Sequence, residues 1–248
     1  MGGNKFLVEF VFIGQPKREK DYFYHSSIHE LILIDDQGKI VSRGQRTEHY
    51  NRISFLEGGA DSPLPFAPLF LWAVYEPGKV LFSEGLGGKF HVYDLAGHLV
   101  KEIETPLPPP AKVTGRDLAR WRQERKERIA GRNPDWWARF GRVIEKYRKS
   151  IYAYKPNIFS LTRTAQGNFL VSSNREATNS KAVYWLLNSQ GKVLAKIETK
   201  LWILGISPHF IFFGGLDKEE LPFIKAWKRQ GTEAEDLLSF QRKKNYYP

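Results

Sequence analysis

The stretch HELILIDDQGKIV, residues 29 to 41, places two apolar runs on either side of an Asp-x-x-Gly sequence. Nearly the same arrangement returns in HVYDLAGHLV, residues 91 to 100, and in YWLLNSQGKVL, residues 184 to 194. An Asp or Asn side chain stabilises a tight turn, and glycine adopts the positive φ that a hairpin loop requires. The pattern predicts three antiparallel hairpins, with a positive φ at Gly38, Gly97 and Gly191.

A further turn precedes two of these hairpins, at Gly78 in LWAVYEPGKVLFSEG and at Gly167 in FSLTRTAQGNFLVSS. Two consecutive hairpins make a four-stranded meander, and a meander that repeats every ~40–50 residues is typical of β-propeller blades. Turns of the same kind also occur in β-sandwiches and barrels. The sequence therefore predicts an all-β protein of four-stranded antiparallel blades, in one domain over residues 1–248.

About four blades are visible. The first ends near Ser42, the second runs from Phe70 to Ile103, and the third from Phe159 to Ile197. The fourth combines LWILGISPHFIFFGG with LPFIKAWKRQ. Three tryptophans within these strands are predicted to lie in the core: Trp72, Trp185 and Trp202.

A basic helical insertion is predicted between the second and third blades, over residues 111–150. The chain has a net charge of +11, and residues 112 to 149 contain 13 Lys and Arg against 5 Asp and Glu, a net of 13 − 5 = +8. Thr114 and Asp117 form a variant of the capping box that begins a first helix. A second helix is predicted from Asn133 and Pro134, with an apolar stripe of Trp136, Trp137, Phe140, Val143, Ile144 and Tyr147.

The first helix of the insertion supplies the candidate ligand-binding residues. A basic face with one aromatic residue suits an anionic polymer such as a nucleic acid, although few aromatics are interleaved with the bases. The alternative is a charged face that keeps the helix soluble. The candidates are Arg116, Arg120, Trp121, Arg122, Arg125 and Lys126.

Candidate chemistry is otherwise sparse. His25 and His29 in HSSIHE have a spacing that a metal site could use, but no third ligand accompanies them. The loop GLGGK lacks the Walker spacing, no Gly-x-Ser-x-Gly elbow occurs, and the chain has no Cys. The longest early apolar run, FLVEFVFIG, is too short to span a bilayer and contains Glu9. We predict no catalytic residue, no cofactor and no membrane span.

The order of several segments resembles a group of bacterial six-bladed β-propeller proteins related in shape to NHL-repeat and TolB-type propellers. The segments are SPLPFAP, FHVYDLAGHLVKEI, VTGRDL, and YKPNIFSLTRTAQGNFLVSS followed by VYWLLNSQGKVL. The likeness runs from about Asp61 to Arg229. A six-bladed ring requires two more blades, so the resemblance implies a shortened relative, degenerate early blades, or a ring completed by another chain. It also implies a periplasmic or extracellular location, although no signal peptide is visible.

Propeller loops gather on one face, which suits recognition and needs no catalytic residue. We therefore expect a non-catalytic scaffold that binds a protein, peptide or glycan through its loops or central channel. The alternative is a propeller enzyme, a hydrolase or lyase with a metal or carboxylates at the channel mouth. Binding of an anionic polymer by the insertion is a further alternative, and an open sheet edge would favour self-association.

Overall fold

The computed structural model describes residues 4–18, 22–55, 61–129, 152–173, 182–217, 219 and 221–243. The described part of the chain is mostly β, with antiparallel sheets and two helices, so the prediction of an all-β protein is confirmed. In the described part of the chain, no helix is long and apolar enough to cross a membrane. The predicted second helix of the insertion lies outside the described residues.

The described elements are sixteen strands and two helices. In chain order they are β1 (Lys5–Ile13), β2 (Lys17–Arg18), β3 (Tyr22–Asp35), β4 (Ile40–Phe55), β5 (Asp61–Pro63), β6 (Leu71–Glu76), β7 (Lys79–Ser83), β8 (Lys89–Asp94), β9 (Leu99–Glu104), α1 (Gly115–Ile129), β10 (Ile158–Arg163), β11 (Phe169–Ser173), β12 (Ala182–Leu187), β13 (Val193–Thr199), β14 (Trp202–Ile206), β15 (Phe210–Leu216), β16 (Pro222–Lys228) and α2 (Glu233–Lys243).

The described residues divide into two compact units. Unit 1 comprises those within 1–70, 95–98 and 110–156, and so contains β1 to β5 and the basic insertion. Unit 2 comprises those within 71–94, 99–109 and 157–248, and contains the remaining strands and α2.

Unit 1 is built on a five-stranded antiparallel sheet in the order β1-β3-β4-β5, with β2 also pairing with β3. Its centre is a long hairpin, because β3 has 14 residues and β4 has 16. The predicted end of the first blade near Ser42 was wrong, since β4 continues to Phe55. From Arg46 onward β4 alternates exposed and half-buried residues, but the half-buried ones, such as Thr47 and His49, are polar. An apolar run therefore does not mark this strand.

Unit 2 contains two four-stranded antiparallel sheets, β6-β7-β8-β9 and β10-β11-β12-β13, over the ranges that the paired hairpins predict. A first core joins these two sheets, and Tyr75 of β6 stacks on Phe169 of β11 with ring centroids 5.8 Å apart. The buried residues of this core include Leu81, Phe90, Val92, Ile158 and Val171.

The last sheet of unit 2, β14-β15-β16, has three strands rather than the predicted four. The chain then forms α2, because Thr232 and Glu235 make a capping box: Thr232 N donates to Glu235 Oε2 (2.9 Å) and Glu235 N donates to Thr232 Oγ1 (3.3 Å). Phe240 of α2 stacks on Phe213 of β15, with centroids 3.9 Å apart. A second core joins this sheet, α2 and the β10–β13 sheet.

The predicted glycine turns are confirmed. Gly38, Gly97 and Gly191 have φ values of 78°, 85° and 81°, and each lies in the loop of an antiparallel strand pair. Asp35 Oδ1 accepts hydrogen bonds from Gln37 N (3.1 Å) and Lys39 N (2.8 Å). The acidic residue therefore holds the turn through its own side chain, as the repeated sequence indicates.

The first helix of the insertion is also confirmed as α1, and its predicted cap is formed. Thr114 N donates to Asp117 Oδ2 (2.9 Å), and Asp117 N donates to Thr114 Oγ1 (3.3 Å). The two stems of the insertion pair with each other through a bridge between Lys112 and Tyr154.

Candidate functional site

The first strand of unit 1 lies at an edge of its sheet. Among the described strands, β1 pairs with β3 alone, over nine consecutive positions from Lys5↔Asp35 to Ile13↔Ser27 with no register shift. Gly14 N continues the ladder by donating to Ser26 O (2.9 Å). In an antiparallel pair the backbone groups of alternate residues point to opposite sides. Even-numbered residues of β1 therefore bond to β3, and the N–H and C=O groups of Lys5, Leu7, Glu9, Val11 and Ile13 point outward.

The distal half of this edge is apolar and exposed on both faces of the strand. Its four consecutive side chains, with their exposed fractions, are Phe10 (45%), Val11 (57%), Phe12 (38%) and Ile13 (73%). Phe6 is also exposed. A long, exposed, apolar edge strand offers both unpaired backbone groups and side-chain area to an added strand.

Cations flank the apolar edge. Lys5 begins β1, and Lys17 and Arg18 follow Pro16 at its other end; all three charged side chains are exposed. Pro16 and the basic pair limit the edge at this end, since proline and lysine discourage further strand pairing. An incoming strand with an apolar centre and acidic ends would match this distribution of charge.

The acidic residue within β1 is held within its own sheet. Glu9 Oε1 lies 2.8 Å from His29 Nδ1 of β3, and the His29 ring stacks on Phe70 with centroids 4.9 Å apart. This contact gives the carboxylate a hydrogen-bonding partner on the neighbouring strand. The centre of the edge is therefore dominated by its apolar side chains.

The two histidines proposed for a metal site both lie within β3, rather than at the start of a strand. His25 Nε2 is hydrogen-bonded to Ser54 Oγ, whereas His29 contacts Glu9. Four residues along a strand span about 13 Å, too far for both rings to reach one ion at the usual ~2 Å. In the described ranges, no three His, Cys, Asp or Glu side chains group so that they could hold a metal.

The same face of the β3–β4 hairpin carries further polar side chains. Asn51 Nδ2 donates to Ser27 Oγ (2.6 Å). The buried acceptors Thr47 Oγ1 and Asn51 Oδ1 have no hydrogen-bond partner within the described part of the chain. Such atoms are normally satisfied by water or by another polar group. This face can therefore donate and accept hydrogen bonds.

The basic helix presents its charges unevenly. Arg116 and Arg120 are exposed one turn apart, and Arg120 Nε lies 3.6 Å from Glu124 Oε1. Trp121 and Arg122 are half-buried, so they belong to a different face from the exposed pair. Arg125 and Lys126 lie in α1, but their side chains are outside the described atoms. Arg116 and Arg120 are the residues that an anionic polymer could reach first.

The cap of α1 contains an acidic group with a shifted pKa. The hydrogen bond from the Thr114 hydroxyl, supported by Lys155 Nζ at 2.9 Å, lowers the pKa of Asp117 from its ordinary 3.8 to about 2. At pH values above the pKa of Asp117 in the unfolded chain, the ionised carboxylate therefore stabilises the cap. This contribution is lost as the pH falls through 3.8 towards 2.

We expect Asp117→Asn to remove this pH dependence and to lower the free energy of unfolding of unit 1 at pH 7 by about 1–2 kcal/mol, as for other N-terminal capping groups. The effect is measured by urea unfolding at several pH values between 2 and 7, and by amide hydrogen exchange in α1. Arg120→Gln, on the exposed face of the same helix, serves as the control. Parallel pH profiles for the wild type and Asp117→Asn would contradict the assignment.

The glycine-rich loop between β7 and β8 is internally bonded. Gly85 N donates to Ser83 Oγ (3.1 Å) and Gly87 N donates to Asn157 Oδ1 (2.6 Å). A phosphate-binding loop directs its N–H groups at the ligand. Here two of those groups are used by the protein itself, so the loop acts as a structural connection.

The sequence has no match among models of known protein families, and no curated protein matches it either. The edge strand is the site that inspection of the sequence missed. FLVEFVFIG is too short to span a bilayer, and its length alone does not indicate an edge strand. Its signal was four consecutive apolar residues at the start of a β-rich unit, with cations on both sides.

Proposed function

We propose that the protein is a non-catalytic binding scaffold that captures an extended segment of a partner protein by strand addition at β1. In this proposal its sheets are blades of an incomplete propeller of the NHL-repeat and TolB-like type. The two four-stranded meanders and the face-to-face core between them support the propeller, because successive blades pack in this way.

The observation that carries the proposal is the combination of outward backbone groups and exposed apolar side chains along β1. Main-chain hydrogen bonds supply affinity in strand addition, and alternate side chains supply specificity. Nine residues of β-strand span about 30 Å, long enough to hold a peptide of similar length. The cations at both ends favour a segment with an apolar centre and acidic flanks.

The test titrates the full-length protein with a fluorescein-labelled peptide of nine alternating Val and Thr residues flanked by two Asp at each end. Anisotropy and hydrogen exchange on β1 are followed together. We expect saturable binding with protection of the amides of β1. The same peptide with Lys flanks should bind at least about 10-fold more weakly, because its charges repel Lys5, Lys17 and Arg18.

The matched variants are Val11→Pro and Val11→Ala. Proline removes an outward N–H but no hydrogen bond to β3, and proline is tolerated at such edge positions. Val11→Pro should abolish binding while Val11→Ala retains most of it. Equal binding by the two variants, or no saturable binding by the wild type, would refute strand addition.

Binding of an anionic polymer by α1 is tested separately with a labelled oligonucleotide. Charge reversal at Arg116 and Arg120 should weaken any such binding.

A further inference from the structure

The terminal sheet of unit 2 has one covered face and one uncovered face. Ile203, Ile206, Ile211 and Phe213 point into the second core. The residues that alternate with them point to the opposite side, as the pairs Trp202↔Gly214, Gly214↔Ile224 and Phe212↔Ala226 show. We call this opposite side the outer face of β14–β16.

The outer face is apolar and exposed. Its most exposed large side chains, with their exposed fractions, are Trp202 (43%), Leu204 (50%), Phe210 (38%), Leu216 (53%) and Ile224 (72%). Trp202 was predicted to lie in the core, and its exposure corrects that prediction. Half-exposed side chains of this size each present on the order of 100 Å², so the face presents roughly 500 Å². The largest apolar patch on a typical soluble monomer has about 300–600 Å², and such a patch is often a functional surface.

The face carries almost no charge. Of the outward-pointing residues in β14, β15 and β16, Lys228 at the end of β16 is the only charged one. Its surface is not flat, because Leu204 lies over Gly214, where an added Cβ would approach Leu204 Cδ1 to 3.1 Å. The surface of a partner therefore has to be apolar and complementary in shape to this uneven face, and it does not need a complementary charge.

We infer that the outer face of β14–β16 is the interface of a two-fold homodimer, in which this face packs against the same face of a second copy. Two copies would bury about 1,000 Å² in total, the lower bound for a specific interface. Homodimer interfaces are more apolar than interfaces between transient partners, and the face has that composition. A two-fold interface also covers the outer faces of both copies at once.

The dimer is independent of the proposed capture of a strand, because β1 belongs to unit 1 and the outer face to unit 2. Each copy has a net charge of +11, so salt should strengthen the dimer by screening the repulsion between copies. Binding of an anionic polymer has the opposite dependence on salt.

The first experiment is sedimentation velocity of the full-length protein from 1 to 200 μM at two salt concentrations. We expect a monomer–dimer equilibrium that shifts towards the dimer at higher salt. Ile224→Lys should raise the dimer dissociation constant at least about 30-fold, as for a residue at the centre of an interface. Val100→Lys places the same charge at an exposed position on β9 and should leave the constant unchanged.

The second experiment establishes the symmetry. The chain has no cysteine, so Ile224→Cys introduces a single thiol. A short bis-maleimide should cross-link this variant into covalent dimers, whereas Val100→Cys should still dimerise but give no covalent dimer. A monomer at 200 μM, higher oligomers in place of dimers, or a dimer unaffected by Ile224→Lys would overturn the inference. Val11→Pro should leave the dimer intact, which separates this result from the test of strand addition.

Discussion

Replacing Arg229 with Met should lower the free energy of unfolding of unit 2 by about 3–5 kcal/mol, since it leaves buried carboxylates without their cation. Arg229 follows β16, and its side chain is 4% exposed. Its Nε donates to Asp236 Oδ2 (3.2 Å), and its Nη1 lies 3.8 Å from Glu233 Oε1. Both acids are in the first turn of α2 and are almost completely buried.

The network links three parts of unit 2. Arg229 Nη1 donates to Ser207 O (2.9 Å), and Glu233 Oε2 accepts from Thr164 Oγ1 (2.7 Å) and Asn168 Nδ2 (3.0 Å). Because Thr164 and Asn168 bound the β10–β11 turn, the helix is anchored to a neighbouring sheet as well as to its own. Loss of the arginine should therefore loosen α2 and the turn together.

Urea unfolding monitored by circular dichroism, with hydrogen exchange resolved over residues 157–173 and 222–243, measures both effects. Arg229→Lys retains the charge but not the planar set of donors, and should show an intermediate loss. Arg163→Met, at an exposed position on β10, is the matched control and should change stability by less than about 0.5 kcal/mol. A similar loss in Arg163→Met and Arg229→Met would show that the buried network is not the cause.

Local signals explain which parts of the fold could be predicted. The hairpins around Gly38, Gly97 and Gly191 depend on four residues each, and so does the cap of α1 at Thr114 and Asp117. These interactions lie within a few residues in sequence, so their residue types identify them without a tertiary structure. Applied to Thr232 and Glu235, the same rule predicts α2, which begins beyond the last predicted strand segment, LPFIKAWKRQ, and was not predicted.

The remaining features depend on contacts between distant residues. The length of β4 is set by its pairing with β3. The residues of β3 that pair with Thr47 and His49 are polar as well, so no alternation of apolar residues marks this part of β4. Arg229, Glu233 and Asp236 look like ordinary surface charges until their burial is known. Likewise, the exposure of Trp202 depends on which face of its sheet is covered, which the period of a strand does not reveal.

The candidate site was predictable only in part. The basic helix was located correctly, but the sequence could not distinguish the exposed Arg116 and Arg120 from the half-buried Trp121 and Arg122. The spacing of His25 and His29 places both side chains on one face of either a helix or a strand. In a strand the two residues are about 13 Å apart, which is too far for both rings to bind one metal ion. The apolar residues of β1 became significant once the structure showed that β3 alone pairs with them.

Replacing Gly191 with Ala should destabilise unit 2 by about 2–5 kcal/mol, through strain at a positive φ and through overpacking. Gly191 has a φ of 81°, and an added Cβ would lie 2.6 Å from both Glu104 O and Ile103 Cγ2. One of these contacts is a backbone oxygen, which cannot rotate away. The repeated turn of the sequence is therefore also a packing contact between neighbouring sheets of unit 2.

Gly78→Ala is the matched control, because Gly78 has a φ of 79° in a hairpin turn of the same unit and an added Cβ would meet nothing within 4 Å. It should cost about 1–2 kcal/mol, which is the backbone strain alone. The difference between the two variants, measured by urea unfolding under one set of conditions, isolates the packing contribution at Gly191. Equal losses would mean that Gly191 is required for its backbone conformation only, and that the sheets can separate enough at this turn to accept a methyl group.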